Sequence, residues 1–382
     1  MKPKTKIFYW SPFLVPIATP KAVVNSAKAL QNYGKGYECS IINFFGEFNK
    51  FQEDLENKDI KLINFFNNKL INFLPKYGKL QSRLSFILIF ALSFFPLKKL
   101  ISNQKPDFLI IHLITSLPLI LLIFFKFETK FILRISGLPK MNFLRKLLWK
   151  IAFKKIYKVT CPTQNTLSYI RSLKIISDEK ISLLYDPIIN VAEINDKKKQ
   201  YKLDKSDYFL AVGRLTKQKD FMFLCKAFKK IINKNKDIKL FIAGDGEDRD
   251  KIINYIKKKR LDKNIFLLGH VENIFPYFTN ARAFILTSLW EDPGFVLVEA
   301  AFSRTLILCN NSKPGPNELI KNDYNGIVYQ TGSIDDFKLK FDKVLKLQNI
   351  NTLKKNSLKR TKRFTIFSHY QQLKNIILDK EF

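Results

Sequence analysis

The sequence has few of the residues from which disulfide frameworks and metal centres are built. Small disulfide-stapled domains and zinc sites need closely spaced cysteines. None of the four cysteines belongs to a Cys-x-x-Cys pair, and they stand far apart at Cys39, Cys161, Cys225 and Cys309. We therefore expect reduced thiols, with no disulfide framework, no zinc site and no other bound metal.

Acidic residues are also scarce, because 33 Asp and Glu stand against 66 Lys and Arg and the net charge is +33. Such an excess favours an anionic partner, whether nucleic acid, acidic lipid or a phosphorylated small molecule. Abundant Ile, Asn, Phe and Lys are equally typical of the codon usage of an AT-rich genome. Helix-turn-helix, zinc-finger and RNP-like patterns are missing, so we expect no nucleic-acid partner and keep nucleic-acid binding only as an alternative.

Long unbroken hydrophobic runs are missing as well. The apolar run 84–97 is shorter than the ~20 residues needed to cross a bilayer. The run 108–125 is long enough, but His112, Thr115 and Ser116 interrupt it, so we predict a strand, a turn and a helix there. The basic N-terminal residues precede only a short strand-like run, which does not indicate a signal peptide.

What is present is an alternation of strand and helix patterns over 382 residues, a length that suits two hydrophobic cores. Short apolar runs alternate with segments whose apolar residues recur at helical spacing, as at Phe221, Leu224 and Phe228. The predicted strands are 6–10, 38–43, 107–112, 130–135 and 158–161 in the first half, and 208–212, 240–243, 265–268, 283–286, 306–309 and 327–329 in the second. This alternation predicts parallel sheets with helices on both faces.

The predicted fold class is therefore α/β, with two Rossmann-like domains facing each other across a cleft. We expect an N-terminal domain at residues 1–188 and a C-terminal domain at residues 189–363. Asp186-Pro187 and the polar stretch 195–200 are interpreted as the linker. Ligands of open α/β sheets lie beyond the carboxyl ends of the strands, so polar residues in strand-end loops are the candidates for function.

Two cations, Arg214 and Lys219, lie in the loop that follows the predicted strand 208–212. A planar guanidinium and a compact ammonium in one strand-end loop suit a diphosphate group. Because the chain has 66 Lys and Arg, a solvated basic loop is the alternative interpretation.

Two carboxylates, Glu291 and Glu299, flank seven residues of a second strand-end loop. Gly294 allows a close turn before a helix whose N-terminus would face the same edge of the sheet. Carboxylates on the loop and on the helix can bind hydroxyl groups of two different sugars. A surface loop with a glutamate on a helix face is the alternative, but a glutamate within an apolar run is rarely left without a partner.

Two further motifs have structural interpretations. The turn 315–318, with the sequence Gly-Pro-Asn-Glu, is interpreted as a helix cap. Asp248-Arg249-Asp250 has the form of a metal-binding Asp-x-Asp motif, but it begins a predicted helix. Acidic residues favour the dipole at that end of a helix, so we interpret this motif as capping.

The order of the motifs between about Tyr208 and Gly332 resembles glycosyltransferase family 4. The segments that carry the resemblance are GRLTKQKD, FIAGDGEDRDKI, NIFLLGHV, EDPGFVLVEAA, GPNELI and NGIVY. The resemblance implies the GT-B fold, retention of the anomeric configuration and a nucleotide-sugar donor, with a UDP sugar favoured and a GDP sugar as the alternative. It also implies that the C-terminal segment 364–382 packs back on the first domain.

The resemblance assigns roles to individual residues of the second half. It implies that Arg214 and Lys219 bind the donor diphosphate, that Glu291 is the catalytic contact to the transferred sugar, and that Glu299 binds the ribose. Backbone contacts to the sugar and phosphate are implied at Gly294 and Phe295. Gly213 completes the expected donor-binding set.

The first half departs from the family pattern. Members often have a Gly-Gly pair after the first strand, whereas the loop 11–20 contains no glycine. Many also place a histidine near the transferred sugar, but the strand end at 132–137 has none. His112 is the candidate substitute, with Ser136 and Gly137 as further sugar or acceptor contacts. A buried structural histidine is the alternative for His112.

The activity implied is transfer of a hexosyl or N-acetylhexosaminyl group to a glycan or polyprenol-linked acceptor. The setting implied is assembly of bacterial lipopolysaccharide, capsule or another surface polysaccharide, with the N-terminal domain on the acceptor side. A sugar-nucleotide epimerase of the same fold and a phosphorylase that uses pyridoxal phosphate are the alternative enzymes.

The predicted helix 142–155 has the pattern of a membrane-surface helix. Lys146, Lys150 and Lys154 form one stripe, and an apolar stripe lies beside it at Leu144, Leu147, Leu148 and Ile151. A basic amphipathic helix is typical of proteins that bind anionic membranes. We therefore expect a cytoplasmic protein that is peripheral on the inner face of the cell membrane. A core-facing helix with a solvated side is the alternative.

Overall fold

The computed structural model describes residues 3–14, 18–66, 79–201, 203, 207–233 and 235–379. The chain divides into two compact units. Unit 1 contains residues 1–188 and 366–382, and unit 2 contains residues 189–365.

Unit 1 is built on a parallel sheet in which seven strands are described, in the order β3-β2-β1-β4-β5-β6-β7. The strands are β1 (Thr5–Trp10), β2 (Tyr37–Asn43), β3 (Lys61–Asn64), β4 (Phe108–Ile111), β5 (Lys130–Arg134), β6 (Lys158–Cys161) and β7 (Ile181–Leu183). The helices described in this unit are α1 (Ala18–Tyr33), α2 (Gln52–Glu56), α3 (Lys79–Gln104), α4 (Ser116–Phe124), α5 (Phe143–Ala152), α6 (Gln164–Ser172) and α15 (Ile366–Ile377).

Both faces of this sheet are covered, which explains why its strands are continuous apolar runs. Side chains that alternate along a strand point to opposite faces. Ile7 and Tyr9 therefore join the core formed with α1 and α15. Phe8 and Trp10 join the core on the other face, which includes residues of α3, α4, α5 and α6.

Unit 2 repeats the plan with strands in the order β10-β9-β8-β11-β12-β13, all parallel. The strands are β8 (Tyr208–Val212), β9 (Lys239–Ala243), β10 (Ile265–Gly269), β11 (Ala283–Leu286), β12 (Ile307–Asn310) and β13 (Ile327–Tyr329). The helices are α7 (Val191–Lys199), α8 (Phe221–Ile232), α9 (Arg249–Lys258), α10 (Phe275–Asn280), α11 (Phe295–Phe302), α12 (Gly315–Leu319), α13 (Ile334–Lys346) and α14 (Ile350–Thr361). Two parallel sheets with interleaved helices confirm the predicted α/β class.

One local expectation is wrong. The stretch 195–200, expected to be a linker, lies mostly within α7, whose N-terminus is capped by the Asn190 side chain and whose last turn carries three lysines. Cations favour the negative end of the helix dipole there.

The apolar run at 84–97 belongs to the 26-residue helix α3, and by length and composition its segment Leu84–Gln104 could cross a membrane. The strand, turn and helix predicted at 108–125 are confirmed as β4 and α4.

The helix α15 is tied to unit 1 through His369, which is 2% exposed. One ring nitrogen, Nε2, lies 2.8 Å from Ser26 Oγ on α1, and Nδ1 lies 2.7 Å from the carbonyl oxygen of Tyr185. Burial lowers the pKa of His369 to about 3, so the imidazole is neutral at physiological pH. A neutral ring can donate from one nitrogen and accept at the other, which matches these two contacts.

A buried ion pair joins the end of β5 to the segment before Ile188. The Arg134 guanidinium, 2% exposed, contacts the Asp186 carboxylate through Nη2 and Oδ1. Its Nε and Nη1 have no hydrogen-bond partner within the described part of the chain. Asp186 is therefore the group that compensates the charge of Arg134 inside unit 1.

Replacing Asp186 should destabilise unit 1 strongly. Asp186→Ala leaves a buried guanidinium without its counter-charge, so we expect the free energy of unfolding to fall by about 3–5 kcal/mol. Urea unfolding followed by fluorescence measures this in unit 1, where Trp10 and Trp149 are buried. The matched control is Glu128→Ala, which removes the exposed pair with Lys105 in the same unit and should cost at most about 1 kcal/mol. An equal loss of unfolding free energy in the two variants would show that Asp186 is not needed to compensate the charge of Arg134.

Candidate functional site

The candidate site lies at the carboxyl ends of β8 and β11, which are neighbours in the sheet of unit 2. The loop after β8 contains the Gly213–Lys219 motif, and the loop after β11 contains Glu291. Because both strands run in the same direction, these loops emerge at one edge of the sheet. The Thr287 hydroxyl donates to the Lys219 carbonyl oxygen at 2.6 Å and joins them directly.

Close backbone packing shapes the first loop. A Cβ atom on Gly244, at the end of β9, would lie 1.9 Å from the Gly213 carbonyl oxygen, so only glycine fits there. A Cβ on Gly213 would lie 3.2 Å from Lys219 Cε, which places the lysine stem directly over this glycine. The Lys219 amide also donates to the Thr216 carbonyl oxygen at 3.0 Å. The loop therefore fixes both the backbone and the stem of Lys219.

Lys219 and Glu291, 72 residues apart in sequence, form an ion pair between Nζ and Oε1. Their side chains are 13% and 8% exposed, so both charges are largely withdrawn from water. Each group compensates the other, because an unpaired charge in this position would be costly. The structure thus brings together the expected phosphate-binding cation and the expected sugar-binding carboxylate.

The second loop is held close to this pair by α12. The Gly315 amide donates to the Glu291 carbonyl oxygen at 2.8 Å. A Cβ on Gly315 would lie 2.1 Å from the Pro293 carbonyl oxygen, so the approach needs a glycine. The turn 315–318, expected to be a helix cap, is itself the first part of α12. Its glycine supports the Glu291 loop by allowing this close contact.

Gly294 forms the entry to α11. Its φ is +91°, a value that favours glycine, and a Cβ there would lie 3.1 Å from Glu291 Cβ. The helix begins at Phe295, so its first backbone N–H groups lie at the same edge of the sheet as Glu291. Glu299 lies one turn further along α11 and is 8% exposed.

The positive charge of the site comes from Arg214, Lys219 and the N-terminus of α11. Arg214 is exposed, whereas Lys219 is held by Glu291. A guanidinium, an ammonium and the N–H groups of a helix end are groups that bind phosphate oxygens. Carboxylates at Glu291 and Glu299 can accept hydrogen bonds from hydroxyl groups. This arrangement can hold a molecule that carries both a diphosphate and sugars.

Two hydroxyl residues at the site were missed by the sequence reasoning. Thr216 Oγ1 and Ser288 Oγ are buried and have no hydrogen-bond partner among the described residues. Thr216 lies in the loop after β8, and Ser288 lies in the loop after β11. Position after a strand end was the available signal, but threonine and serine are too common in loops to be singled out by residue type.

The Asp-x-Asp motif lies at the start of α9, with Asp248 before the first helical residue and Asp250 in the first turn. Asp250 is placed where an acidic side chain favours the helix dipole. The Asp248 side chain makes no capping hydrogen bond, so only its negative charge favours the N-terminus of the helix. Within the described ranges there is no group of three or more His, Cys, Asp and Glu side chains that could hold a metal ion.

The candidates in unit 1 cluster at the ends of β4 and β5. The Ser136 hydroxyl donates to the His112 carbonyl oxygen at 3.3 Å, and Gly137 follows with space around its α-carbon. The His112 ring is buried, 6.2 Å from the Tyr9 ring, and its Nε2 has no partner among the described residues. Burial, helped by the nearby charge of Arg134, lowers the pKa of His112 well below its usual value. A neutral imidazole is therefore available at this strand end.

Comparisons with known proteins show which proteins this chain resembles. Residues 193–363 match the family model described as glycosyl transferases group 1. An uncharacterised glycosyltransferase of Methanocaldococcus jannaschii is 31% identical over 318 residues, which are 78% of this chain and 74% of the relative. A Campylobacter jejuni enzyme is 27% identical over 357 residues and 92% of each chain. Its name describes an α-1,4-N-acetyl-D-galactosaminyltransferase that acts on a diphospho-undecaprenol-linked glycan.

Solved structures show the same fold. A glycosyltransferase of Rickettsia africae superposes with a TM-score of 0.74 at 15% identity and covers 98% of both chains. The Anabaena protein HepE, solved with UDP and glucose, superposes with a TM-score of 0.70 at 15% identity, covering 98% of this chain and 99% of its own. The family model and the Methanocaldococcus jannaschii relative show that the chain belongs to the group 1 glycosyltransferases, and the solved structures show the GT-B fold.

Proposed function

We propose that this glycosyltransferase belongs to family 4 and transfers a hexosyl or N-acetylhexosaminyl group with retention of the anomeric configuration. The donor is a nucleoside-diphosphate sugar, and the acceptor is a glycan or polyprenol-linked glycan of a bacterial surface polysaccharide. The observation that carries this proposal is the buried contact between Lys219 and Glu291 at the strand ends of unit 2. A cation able to bind phosphate beside a carboxylate able to accept hydrogen bonds from sugar hydroxyls supports the proposal.

A UDP sugar is the favoured donor. Two structural neighbours support this choice, because HepE was solved with UDP, glucose and UDP-glucose, and a Staphylococcus aureus TarM variant was solved with UDP. In the proposed complex, Arg214 and Lys219 bind the diphosphate, and Glu299 binds the ribose. The phosphate and the sugar also contact the backbone of Gly213, Gly294 and Phe295.

The same groups explain how transfer is promoted. As the bond to the anomeric carbon breaks, the sugar gains oxocarbenium character and the departing diphosphate gains negative charge. Arg214, Lys219 and the N-terminus of α11 supply the positive charge and N–H groups that stabilise the departing diphosphate. Glu291 holds sugar hydroxyls and fixes the ring, and Lys219 in turn fixes the Glu291 carboxylate.

Unit 1 is proposed to bind the acceptor, with His112, Ser136 and Gly137 at its sugar-facing strand ends. The name of the Campylobacter jejuni relative supports a lipid-linked acceptor. An enzyme that meets such an acceptor works at a membrane surface. We therefore propose a cytoplasmic enzyme that is peripheral on the inner face of the cell membrane.

Arg214→Ala and Lys219→Ala should each weaken nucleotide binding about tenfold or more. Each substitution removes one charge-assisted hydrogen bond to the diphosphate, and such bonds contribute roughly 1.5–3 kcal/mol. Calorimetric titration with UDP measures the dissociation constant directly. Lys217→Ala is the matched control, because it removes an exposed cation from the same loop and should leave the affinity unchanged. Unchanged UDP affinity in Lys219→Ala would show that this lysine does not bind the phosphates.

Glu291→Gln should lower turnover by roughly 100-fold or more while the protein stays folded. Glutamine keeps the size of the side chain but loses the charge that fixes it against Lys219, so the sugar is positioned less well. Glu299→Gln should act mainly on UDP affinity, because its proposed partner is the ribose. Single-turnover and steady-state transfer assays with a UDP sugar separate the two effects.

The same assay, run with EDTA, tests the role of the Asp-x-Asp motif. We expect transfer to continue, since cations of the protein occupy the place of a metal at the diphosphate. Activity that is lost in EDTA, restored by Mn²⁺ and absent in Asp250→Asn would assign metal binding to that motif.

For the Glu291→Gln variant, normal turnover would remove Glu291 from the mechanism.

A further inference from the structure

The helix α3 exposes large apolar side chains as well as burying them. Between residues 84 and 95 its exposed side chains recur at helical spacing and are apolar, with exposures of 60% for Leu84, 64% for Ile87, 47% for Leu88, 44% for Leu92 and 73% for Phe95. A helix of a water-soluble domain normally turns polar residues outward. Contiguous exposed apolar surface of this kind marks an interaction site.

The inward side of α3 contains two serines among its apolar residues. Ser85 and Ser93 are both fully buried, and the Ser93 hydroxyl has no hydrogen-bond partner among the described residues. The helix therefore buries hydroxyl groups in the protein and exposes Leu, Ile and Phe. This distribution is favourable only if the outward side meets an apolar environment.

The inward side also fixes the helix in unit 1. Ile89, Leu97 and Ile101 belong to the core shared with β1, β4, α4 and α5. Removing α3 from this core to let it cross a bilayer would expose that apolar surface. The helix is long enough to span a membrane, but its packing favours an orientation parallel to the membrane plane.

The helix α5 extends the apolar surface. Its residues Phe143, Leu144, Leu147 and Ile151 are 79%, 73%, 46% and 43% exposed, while Trp149 is buried in the same core. The alternative of a core-facing stripe is therefore not supported at Leu144, Leu147 and Ile151, which face outward. The helices α3, α4 and α5 pack side by side in this order, and Phe124 at the end of α4 is 73% exposed. Three adjacent helices of one layer thus expose apolar residues together.

Cations accompany these apolar residues. Lys99 follows the apolar stripe of α3, and Lys146 and Lys150 lie beside the stripe of α5, all three of them exposed. Lysines next to an apolar stripe can reach anionic lipid head groups while the apolar side chains enter the acyl region. A second copy of the chain is a poor occupant, because it would bring the same lysines and another net charge of +33 against this surface.

We infer that unit 1 docks on an anionic lipid bilayer through the outward face of α3 and α5, with Leu84, Ile87, Leu88, Phe95, Phe143 and Leu144 inserted below the head groups. This inference rests on the proposed function only in that a lipid-linked acceptor gives the docking a purpose. Membrane binding then has an apolar part that salt does not screen and an electrostatic part that it does.

Vesicle flotation tests the docking surface. The full chain is mixed with phosphatidylcholine vesicles, with or without phosphatidylglycerol, at low and high salt. We expect binding to the anionic vesicles that weakens in high salt but persists, and release by a carbonate wash. The double variant Ile87→Gln and Phe95→Gln should bind at least about tenfold more weakly at both salt concentrations. Lys99→Gln with Lys150→Gln should weaken binding at low salt and have little effect at high salt.

The matched control is Leu339→Gln with Leu378→Gln, two exposed leucines outside the proposed surface, and it should bind as the unaltered chain does. Equal vesicle binding by the Ile87 and Phe95 variant and the unaltered chain would overturn the inference. So would complete release by high salt, retention after the carbonate wash, or a dimer that this variant converts to a monomer. UDP titration of the same variants keeps the two proposals apart. A variant that loses vesicle binding but keeps its UDP affinity tests only the docking surface. Failure of the unaltered chain to bind UDP would contradict only the proposed donor site.

Discussion

The burial of Lys219 and Glu291 against each other is the constraint on which the site in unit 2 depends. Each charge offsets the cost of burying the other, which favours keeping the loops after β8 and β11 together. The close approaches at Gly213, Gly294 and Gly315 follow from the same requirement, because each allows backbone or side chain to pack beside the pair. A substrate with a diphosphate and a sugar offers new partners to both groups at once.

The fold class could be predicted because strands buried on both faces are nearly continuous apolar runs, and β8, β9 and β11 are all of this kind. The motif residues Arg214, Lys219 and Glu291 could be found because each follows such a strand. The Arg134–Asp186 pair could not, since 52 residues separate its members and only the assembled sheet brings them together. The exposed apolar side of α3 could not be predicted either, because hydropathy alone does not tell which side of an apolar helix is buried.

The excess of positive charge acquires a more specific meaning in the structure. Most of the lysines lie on the surface, where their effect is general and screened by salt. Lys219 is different because it is held by a carboxylate, and Lys99, Lys146 and Lys150 are different because exposed apolar side chains surround them. Two anionic partners, a sugar nucleotide and a lipid surface, therefore suit two separate regions of the chain. Neither requires a nucleic acid.

The central claim is that this chain binds nucleoside-diphosphate sugars through unit 2, and a thermal-shift screen of the unaltered chain tests it most directly. A ligand present at 100 times its dissociation constant stabilises the folded state by about 2.7 kcal/mol, which raises the melting temperature by several degrees. The account predicts such a shift with UDP and with at least one UDP or GDP sugar, and none with uridine, which lacks the diphosphate. A panel in which no nucleotide sugar shifts the melting temperature, while short duplex DNA does, would contradict it.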